Sequence, residues 1–368
     1  MKLVILIAIL LISKHSWAYD NPDPVIRENR NAEIPYLENP EGRPYVVSHR
    51  GACGTLPDHS TAAYATAYFD GTDFDEPDLQ VTKDGVLFVM HNLCMKETTN
   101  IADLPQFDDR RSDVLHITNE TTFKCTDDYI VNDFTWQELI DAGLKVRNRY
   151  KSRNHFYDDL YPPMRLENAI ELMLELNEKS PKQGRKFKTG LYIETKAVRF
   201  YKEKRNVDIA KILYDTLEKY DLHTVEKATE KLPIFIESFE QDSLLYFKSK
   251  TDLPTVQLMT SSIEYDLDWI SSYSNGVGPK HTYMFNQEGE DFNLDKPSKF
   301  VERCHELDMK VHPYVLQDDI LVYSEDPIDE VKIWEAKGVD GYFTEFPQST
   351  LNTLLYTKSQ RELTLIKE

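Results

Sequence analysis

The chain has 368 residues and a formal net charge of −20, with 40% hydrophobic and 29% charged residues. This composition is typical of a folded globular protein and excludes a largely disordered chain. The negative charge and the lack of a basic patch argue against binding to nucleic acid or to anionic membranes. A small phosphate-bearing substrate remains open, because it needs only a local positive site.

The N-terminal segment has the features of a secretory signal peptide. Lys2 precedes an apolar run from Leu3 to Ile12 that is too short to span a bilayer. Ser16-Trp17-Ala18 then offers small residues at the two specificity positions of a cleavage site. We therefore predict that residues 1–18 are removed, with an uncleaved anchor as the alternative. The mature protein is expected to be secreted, or periplasmic in a bacterium, with no membrane-spanning segment.

An oxidising compartment changes how the cysteines are interpreted. The four cysteines are Cys53, Cys94, Cys125 and Cys304, and they allow three disulfide connectivities. No two of them have the CxxC spacing of a structural zinc site. Asn119 begins a sequon and is a candidate N-glycosylation site.

After a polar lead-in at residues 19–44, β-rich runs alternate with helical patterns. The predicted strands are Tyr45–His49, Phe74–Leu79, Leu191–Glu194, Ile234–Ser238, Val256–Met259, Gly276–Gly278, Lys310–Val315 and Gly341–Thr344. The predicted helices are Ser60–Phe69, Leu166–Asn177, Val207–Tyr220, Asp242–Ser249, Lys299–Leu307 and Asp329–Lys337. Alternation of this kind predicts an α/β fold with a parallel sheet, open or closed, and the strand count favours a (β/α)8 TIM barrel. The barrel domain is predicted at 45–355, with a tail at 356–368.

One part of the chain departs from this alternation. Thr82-Lys83-Asp84-Gly85 is a turn signal that predicts a hairpin between Phe74–Leu79 and Val86–His91. The acidic stretch at 93–161 does not alternate at all. We expect it to be an inserted loop or subdomain that follows the hairpin.

Candidate catalytic side chains lie where predicted strands end. His49 and Arg50 follow the first strand, at the face of a barrel where catalytic groups collect. Histidine suits proton transfer near neutral pH, and arginine suits a phosphate. By themselves these two residues are better explained as an ordinary loop pair.

The hairpin adds acidic residues to this site. Glu76 and Asp78 are two residues apart, so both carboxylates point to one face of a strand. Simple pairing about the turn sets Asp78 opposite His91. Buried carboxylates this close require a cation, and oxygen ligands suit Ca²⁺ or Mg²⁺. A solvated acidic strand face is the alternative.

A third strand end carries Glu194 and Lys196 on one face, as a further metal ligand and a phosphate partner. An ordinary strand-end ion pair is the alternative. Together these strand ends predict a site for a phosphorylated substrate, where a metal neutralises developing charge.

The ordered motifs from Val46 to about Thr350 resemble the glycerophosphodiester phosphodiesterase family. The motifs are His49-Arg50-Gly51-Ala52, Leu56-Pro57-Asp58-His59-Ser60, Glu76-Pro77-Asp78-Leu79, Thr82-Lys83-Asp84-Gly85, His91, Thr98-Thr99-Asn100, Tyr192-Ile193-Glu194-Thr195-Lys196, Ser238-Phe239-Glu240, Val256-Gln257-Leu258, Gly276-Val277-Gly278-Pro279, Val311-His312-Pro313-Tyr314 and Gly338-Val339-Asp340-Gly341-Tyr342-Phe343-Thr344. The later motifs are similar to those of the bacterial periplasmic type.

The resemblance implies a (β/α)8 barrel and a divalent cation, most often Ca²⁺, with Mg²⁺ as the alternative. The implied metal ligands are Glu76, Asp78 and Glu194. The implied catalytic residues are His49 and His91 as general acid and base, and Arg50 at the phosphate. The implied substrate-binding residues are Lys196 near the phosphate and, more weakly, Phe239, Gln257 and Tyr314.

The chain departs from the family pattern at four places. Asn92 and Glu345 stand where Asp is usual, Asp58 stands where Glu is usual, and Glu97 stands where Arg is common. None of these changes removes an implied ligand or histidine.

The resemblance places Cys53 and Cys94 at the barrel mouth. We expect Cys94 to pair with Cys125 and to pin the insertion over the site, with Cys53–Cys94 as the alternative. Cys304 is expected to be a lone buried thiol.

These observations predict a secreted, metal-dependent hydrolase of glycerophosphodiesters such as glycerophosphocholine, which yields an alcohol and sn-glycerol 3-phosphate. One alternative is a phospholipase D-type enzyme acting on lysophospholipid or sphingomyelin, which an apolar rim at the mouth would favour. Another is a noncatalytic secreted binding protein on the same barrel. The sequence does not predict the oligomeric state.

Overall fold

The computed structural model describes residues 34–181, 187–260, 263–285 and 297–367. The predicted signal peptide and residues 19–33 of the lead-in lie outside these ranges. The strands are β1 (Tyr45–His49), β2 (Phe74–Glu76), β3 (Asp78–Val81), β4 (Leu87–Val89), β5 (Ser112–Ile117), β6 (Thr122–Asp128), β7 (Met164–Arg165), β8 (Gly190–Thr195), β9 (Ile234–Ser238), β10 (Thr255–Met259), β11 (Gly276–Pro279), β12 (Lys310–Val311) and β13 (Gly341–Thr344). The α-helices are α1 (Thr61–Asp70), α2 (Trp136–Asp141), α3 (Leu166–Lys179), α4 (Val198–Phe200), α5 (Ile209–Lys219), α6 (Val225–Lys231), α7 (Gln241–Lys250), α8 (Leu267–Ser271), α9 (Thr282–Phe285), α10 (Lys299–Glu306), α11 (Pro327–Glu335) and α12 (Pro347–Lys367).

The first helix shows how local sequence sets the βα units. Ser60 is extended at the N-cap of α1 and its hydroxyl accepts the N–H of Ala63, which satisfies one of the free donors of the first turn. Gly71 ends the helix in the left-handed region at φ 103, where a side chain would be strained. The chain then re-enters the sheet as β2, parallel to β1.

The main sheet is a TIM barrel. Its strands follow the order β12-β11-β10-β9-β8-β2-β1-β13, and each successive pair is parallel. β2 and β3 occupy one position in this order, because both pair with β8 on either side of Pro77. The segment after β12 pairs with β13, through Phe343 N–H to the oxygen of Pro313 (3.0 Å) and Leu316 N–H to the oxygen of Phe343 (2.8 Å). These bonds join the two ends of the sheet, which confirms the predicted fold.

Aromatic side chains fill the interior of the barrel below its mouth. The rings of Tyr192 and Phe235 stack with centroids 4.7 Å apart, and Phe74 and Phe343 pack edge-on against them. His312 lies in the same layer, with Nδ1 2.9 Å from the hydroxyl of Tyr192. Because side chains alternate along a strand, the next inward residues on these strands lie one layer nearer the mouth.

The predicted hairpin exists, but its register differs by one residue from the prediction. Its loop is Lys83–Gly85, and Gly85 adopts φ 83, as in three-residue hairpin loops. Met90 therefore lies beside Asp78 and donates its N–H to the Asp78 oxygen at 2.8 Å. The prediction that placed His91 opposite Asp78 was wrong, because it assumed a two-residue turn.

The insertion at 93–161 is a subdomain with its own core. Some of its apolar residues pack with Phe88 and Met90 in a cluster separate from the main core, whereas Leu93, Cys125 and Ile130 join the main core. The insertion also carries the β5–β6 hairpin. A disulfide joins Cys94 to Cys125, with a Cα–Cα distance of 6.0 Å. Cys53 and Cys304 are free and buried, so the structure agrees with the preferred pairing.

Both predicted edges of the domain need adjustment. From Ile34 onward the lead-in packs on the barrel, where the hydroxyl of Tyr36 donates to the oxygen of Ile234 at 3.2 Å. At the other end, α12 runs through the boundary predicted at 355. Within the described residues, no helix is both long and apolar enough to cross a membrane.

Candidate active site

Three acidic side chains converge at the barrel mouth. Glu76 on β2, Asp78 on β3 and Glu194 on β8 offer oxygen atoms that all lie within 4.8 Å of one another. All three residues are buried. Glu76 stands two residues after Phe74, and Glu194 stands two residues after Tyr192. Because side chains alternate along a strand, both carboxylates point into the barrel, as the two aromatic rings do.

Two cations hold the central carboxylate. The Lys196 ammonium lies 3.0 Å from Oδ1 of Asp78 and 2.8 Å from Oε1 of Glu194. The guanidinium of Arg50 approaches Asp78 from the other side, with Nε 3.2 Å from Oδ2. Burial by itself would raise the pKa of Asp78, but Lys196, His91 and Arg50 hold that pKa well below its usual value. Asp78 is therefore ionised.

The other two acids in the cluster are less well compensated. Burial raises the pKa of Glu194 to about 8, because the repulsion by Asp78 offsets part of the attraction by Lys196. Burial and the charge of Asp78 also raise the pKa of Glu76 well above its usual value. A buried set of carboxylate oxygens with this deficit of positive charge fits a hard divalent cation.

His49 is the first histidine at this site, and a carboxylate backs it. Its Nδ1 lies 3.1 Å from Oε1 of Glu345. Glu345 in turn accepts hydrogen bonds from Arg153 and from Nε2 of Gln317 (2.8 Å). Burial and the charge of Arg50 lower the pKa of His49 to about 4, although Glu345 acts in the opposite direction. The arrangement leaves Nε2 of His49 for a substrate.

His91 is backed by an amide instead. Its Nδ1 lies 2.6 Å from Oδ1 of Asn92, and Nδ2 of Asn92 donates to Glu97 at 2.5 Å. Burial, Arg50 and Lys196 lower the pKa of His91 well below its usual value. Two departures from the family pattern, Asn92 and Glu97, thus contact each other and together position this ring.

Two cavities meet at these residues. The first, which we call the barrel cavity, has a volume of about 380 Å³. Its lining includes His49, Arg50, Glu76, His91, Glu194, Lys196, Glu237, Phe239, Leu258 and Tyr314. The second, the hairpin cavity, measures about 350 Å³ and is lined by residues 120–125 of the β5–β6 hairpin, by Phe239 and Glu240, and again by His91, Glu194 and Lys196. The acidic and basic groups shared by the two linings therefore stand between two spaces.

The predicted substrate-wall residues divide into two groups. Phe239 and Tyr314 line the barrel cavity, with ring centroids 5.9 Å apart. Gln257 does not line either cavity. Its amide donates to the backbone oxygens of Phe239 and Leu258, both at 2.9 Å, and its own oxygen accepts from Tyr273. The prediction that Gln257 lines the substrate wall was therefore wrong. Its side-chain amide instead holds neighbouring parts of the barrel together, because its hydrogen bonds are made to other groups of the protein.

Five further residues at the site were not predicted as functional. His59 binds Oδ2 of Asp78 through Nε2 at 2.9 Å, and Asp58 binds Nη1 of Arg50 at 3.0 Å. Both lie in a motif of the resemblance, which could have identified them. Arg153, Gln317 and Glu237 carry no such signal. Asn119 is exposed in the turn between β5 and β6, and its glycosylation remains a prediction.

Comparisons with known proteins agree with this geometry. The model of the "Glycerophosphoryl diester phosphodiesterase family" matches residues 49–349. A glycerophosphodiester phosphodiesterase of Arabidopsis thaliana is 32% identical over 337 residues, which cover 84% of this chain and 86% of the relative. One of Haemophilus influenzae is 24% identical over 351 residues, covering 84% and 89%.

Solved structures share the fold. An Oleispira antarctica phosphodiesterase in complex with the product sn-glycerol-3-phosphate superposes with a TM-score of 0.57 at 16% identity, over 84% of this chain and 96% of that one. A glycerophosphoryl diester phosphodiesterase of Parabacteroides distasonis gives 0.52 at 15% identity, over 88% and 90%. Because the family model matches most of the length of this chain, the chain belongs to the glycerophosphoryl diester phosphodiesterase family.

Proposed function

We propose that this member of the family is a secreted, Ca²⁺-dependent enzyme that hydrolyses glycerophosphodiesters such as glycerophosphocholine to an alcohol and sn-glycerol 3-phosphate. The observation that carries the proposal is the convergence of His49, His91 and a three-acid cluster on one cavity. A solved relative of the same fold holds sn-glycerol-3-phosphate, which supports this class of substrate.

Arg50 and Lys196 are the positive groups that we propose bind the phosphodiester. Arg50 and Lys196 both line the barrel cavity and both are buried, so their charges are poorly screened. Their approach to Asp78 from two sides fixes the guanidinium and the ammonium before substrate arrives. We assign to them the binding of the phosphate oxygens and the stabilisation of negative charge as the ester bond breaks.

The two histidines have different partners, and this suggests different roles. The Glu345 carboxylate stabilises positive charge on His49, so we assign to Nε2 of His49 the removal of a proton from the water molecule that attacks the phosphorus. His91 has only the neutral Asn92 amide behind it, and we assign to it the donation of a proton to the leaving alcohol. A bound phosphate anion would raise the pKa of both rings toward the neutral range.

Glu76, Asp78 and Glu194 are the residues that would hold the divalent cation. When bound, the cation supplies positive charge against the phosphate and lowers the pKa of an attacking oxygen. Secretion is supported by the Cys94–Cys125 disulfide, since such bonds persist mainly in oxidising compartments.

One observation favours lysophospholipid as a second candidate substrate. Ile320 and Val322 line the mouth of the barrel cavity and are 45% and 53% exposed. An apolar rim of this kind could contact an acyl chain. Lysophosphatidylcholine is therefore the natural competitor in any substrate test.

The test is release of sn-glycerol 3-phosphate from glycerophosphocholine by the mature protein, with added Ca²⁺, added Mg²⁺ or EDTA. We expect release that depends on a divalent cation and is lost in His49→Ala and Glu76→Ala. Lys179→Ala, at an exposed helix position that lines neither cavity, is the control and should keep full activity. If the protein releases choline from lysophosphatidylcholine and leaves glycerophosphocholine intact, the second candidate replaces the first.

A further inference from the structure

A fourth acid, Glu237, faces the barrel cavity and has no part in the contacts described so far. It lies on β9 directly beside Glu194 on β8 in the sheet register. It follows Phe235 of the aromatic layer by two residues, so its side chain points inward with those of Glu76 and Glu194. Only 1% of its surface is exposed.

The carboxylate of Glu237 is not satisfied by the protein. Its Oε2 is buried and has no hydrogen-bond partner among the described residues. The two cations of the acid cluster are already engaged, since Lys196 binds Asp78 and Glu194 while Arg50 binds Asp58 and Asp78. Arg149 and Lys280 also line the cavity, but neither donates a hydrogen bond to Oε2 of Glu237. A buried carboxylate without a donor costs stability, so a donor from a ligand would compensate this position.

The chemistry of the missing donor can be narrowed. Glu237 lies outside the group of oxygen atoms that fall within 4.8 Å of one another, which makes a direct place in the metal site unfavourable. Phosphate oxygens would be repelled by a carboxylate. A quaternary ammonium group carries no N–H and so cannot donate to Oε2. A neutral hydroxyl group is not a metal ion, is not repelled by the carboxylate, and has a hydrogen that it can donate to Oε2.

We propose that Glu237 is a substrate-binding residue that accepts a hydrogen bond from a hydroxyl of the polyol arm of the substrate. The inference rests on the proposed function, because it takes the phosphate to lie at Arg50 and Lys196. The hydroxyl-bearing glycerol arm then occupies the Glu237 side of the barrel cavity, and the leaving alcohol extends toward the hairpin cavity. Glu237 thereby selects esters of polyols over esters of simple alkyl alcohols.

The test compares two ligands that differ only in their hydroxyls, sn-glycerol 3-phosphate and n-propyl phosphate. Their dissociation constants are measured by calorimetry with the mature, Ca²⁺-supplemented protein. We expect Glu237→Leu to weaken the binding of glycerol 3-phosphate by about 10-fold, the upper end of the range for one uncharged hydrogen bond, and to leave the binding of n-propyl phosphate within about threefold. The affinity of Glu237→Gln for glycerol 3-phosphate should lie between those of the parent protein and Glu237→Leu, because its amide oxygen still accepts a hydrogen bond.

Two controls separate this role from others. Glu175→Gln alters an exposed acid that lines neither cavity and should leave the preference for glycerol 3-phosphate unchanged. Melting temperatures and Ca²⁺ titrations of each variant show whether fold and metal site are intact.

An equal loss for both ligands in Glu237→Leu, or a weakened Ca²⁺ affinity in Glu237→Gln, would overturn the proposal. So would a loss confined to choline phosphate, which would place the cationic arm at Glu237. Because binding is measured without turnover, a failure of hydrolysis would count against the proposed function and leave this result standing.

Discussion

Glu345→Gln tests how the first histidine is positioned. Oε1 of Glu345 lies 3.1 Å from Nδ1 of His49, and the carboxylate is 1% exposed. It accepts the Nδ1 proton, so it fixes the tautomer in which Nε2 can take a proton, and it stabilises the imidazolium that results. Glutamine keeps the size of the side chain but removes its charge.

The expected loss follows from the charge interaction. Two unit charges about 4 Å apart in a site with an effective dielectric of about 20 interact by about 4 kcal/mol. The loss of that stabilisation corresponds to about a thousandfold fall in kcat. KM should change little, because the phosphate contacts proposed for Arg50 and Lys196 are unchanged in this variant. The acid limb of the pH–rate profile should move to lower pH, since without the carboxylate the pKa of His49 falls further.

Asp319→Asn is the matched control for this variant. Asp319 binds the same arginine as Glu345 does, with Oδ2 2.8 Å from Nε of Arg153, but it has no contact with His49. Its kcat should stay within about threefold of the parent enzyme if the role of Glu345 is electrostatic. Steady-state rates on glycerophosphocholine from pH 5 to 9 measure both effects. If Glu345→Gln keeps most of its kcat, or if Asp319→Asn loses as much, the reasoning is refuted.

Three further outcomes are expected. Burial lowers the pKa of His312 from 6.5 to about 4. The free energy of unfolding should therefore be unaffected by this group above pH 6.5. It should fall by about 3 kcal/mol as the pH drops toward 4, because the unfolded chain then binds a proton that the folded chain does not. Urea unfolding at pH 6.5 and at pH 4 should show that His312→Gln loses less unfolding free energy between the two pH values than the parent protein does. Equal losses would show that His312 is not the group responsible. Glu76→Gln should raise the melting temperature of the metal-free protein, because a carboxyl whose pKa is raised by burial costs stability at neutral pH and an amide does not. The variant should also abolish the further rise with Ca²⁺; an unchanged Ca²⁺ response would count against the metal site. Replacing Cys94 and Cys125 by Ser opens a loop with a sequence separation of 31 residues, which should cost about 4 kcal/mol and speed proteolysis of the insertion. A cleavage rate like that of the parent would show that the hairpin is held by other contacts.

Short-range patterns in the sequence were sufficient for much of the barrel. The bounds of β1, β9 and β13 agree with the predicted strands at every residue. Period-two alternation also predicted that Glu194 and Lys196 share one face, because the direction of a side chain depends only on its position along its own strand. Helices without a long apolar pattern, such as α6 and α8, were not predicted.

Tertiary structure decided what depends on contacts between distant parts of the chain. Arg153 of the insertion binds Glu345 from 192 positions away, and no local pattern shows that pair. The register at Asp78 depended on whether the hairpin loop has two or three residues, which Gly85 at φ 83 settles only in the folded chain. Glu237 looked like an ordinary strand residue until closure of the barrel buried it beside Glu194. The sequence by itself therefore determined which acids, bases and cations are present and which way most of them point. Closure of the sheet decided which of them meet, since burial and partner distance arise only when strands far apart in the chain come together.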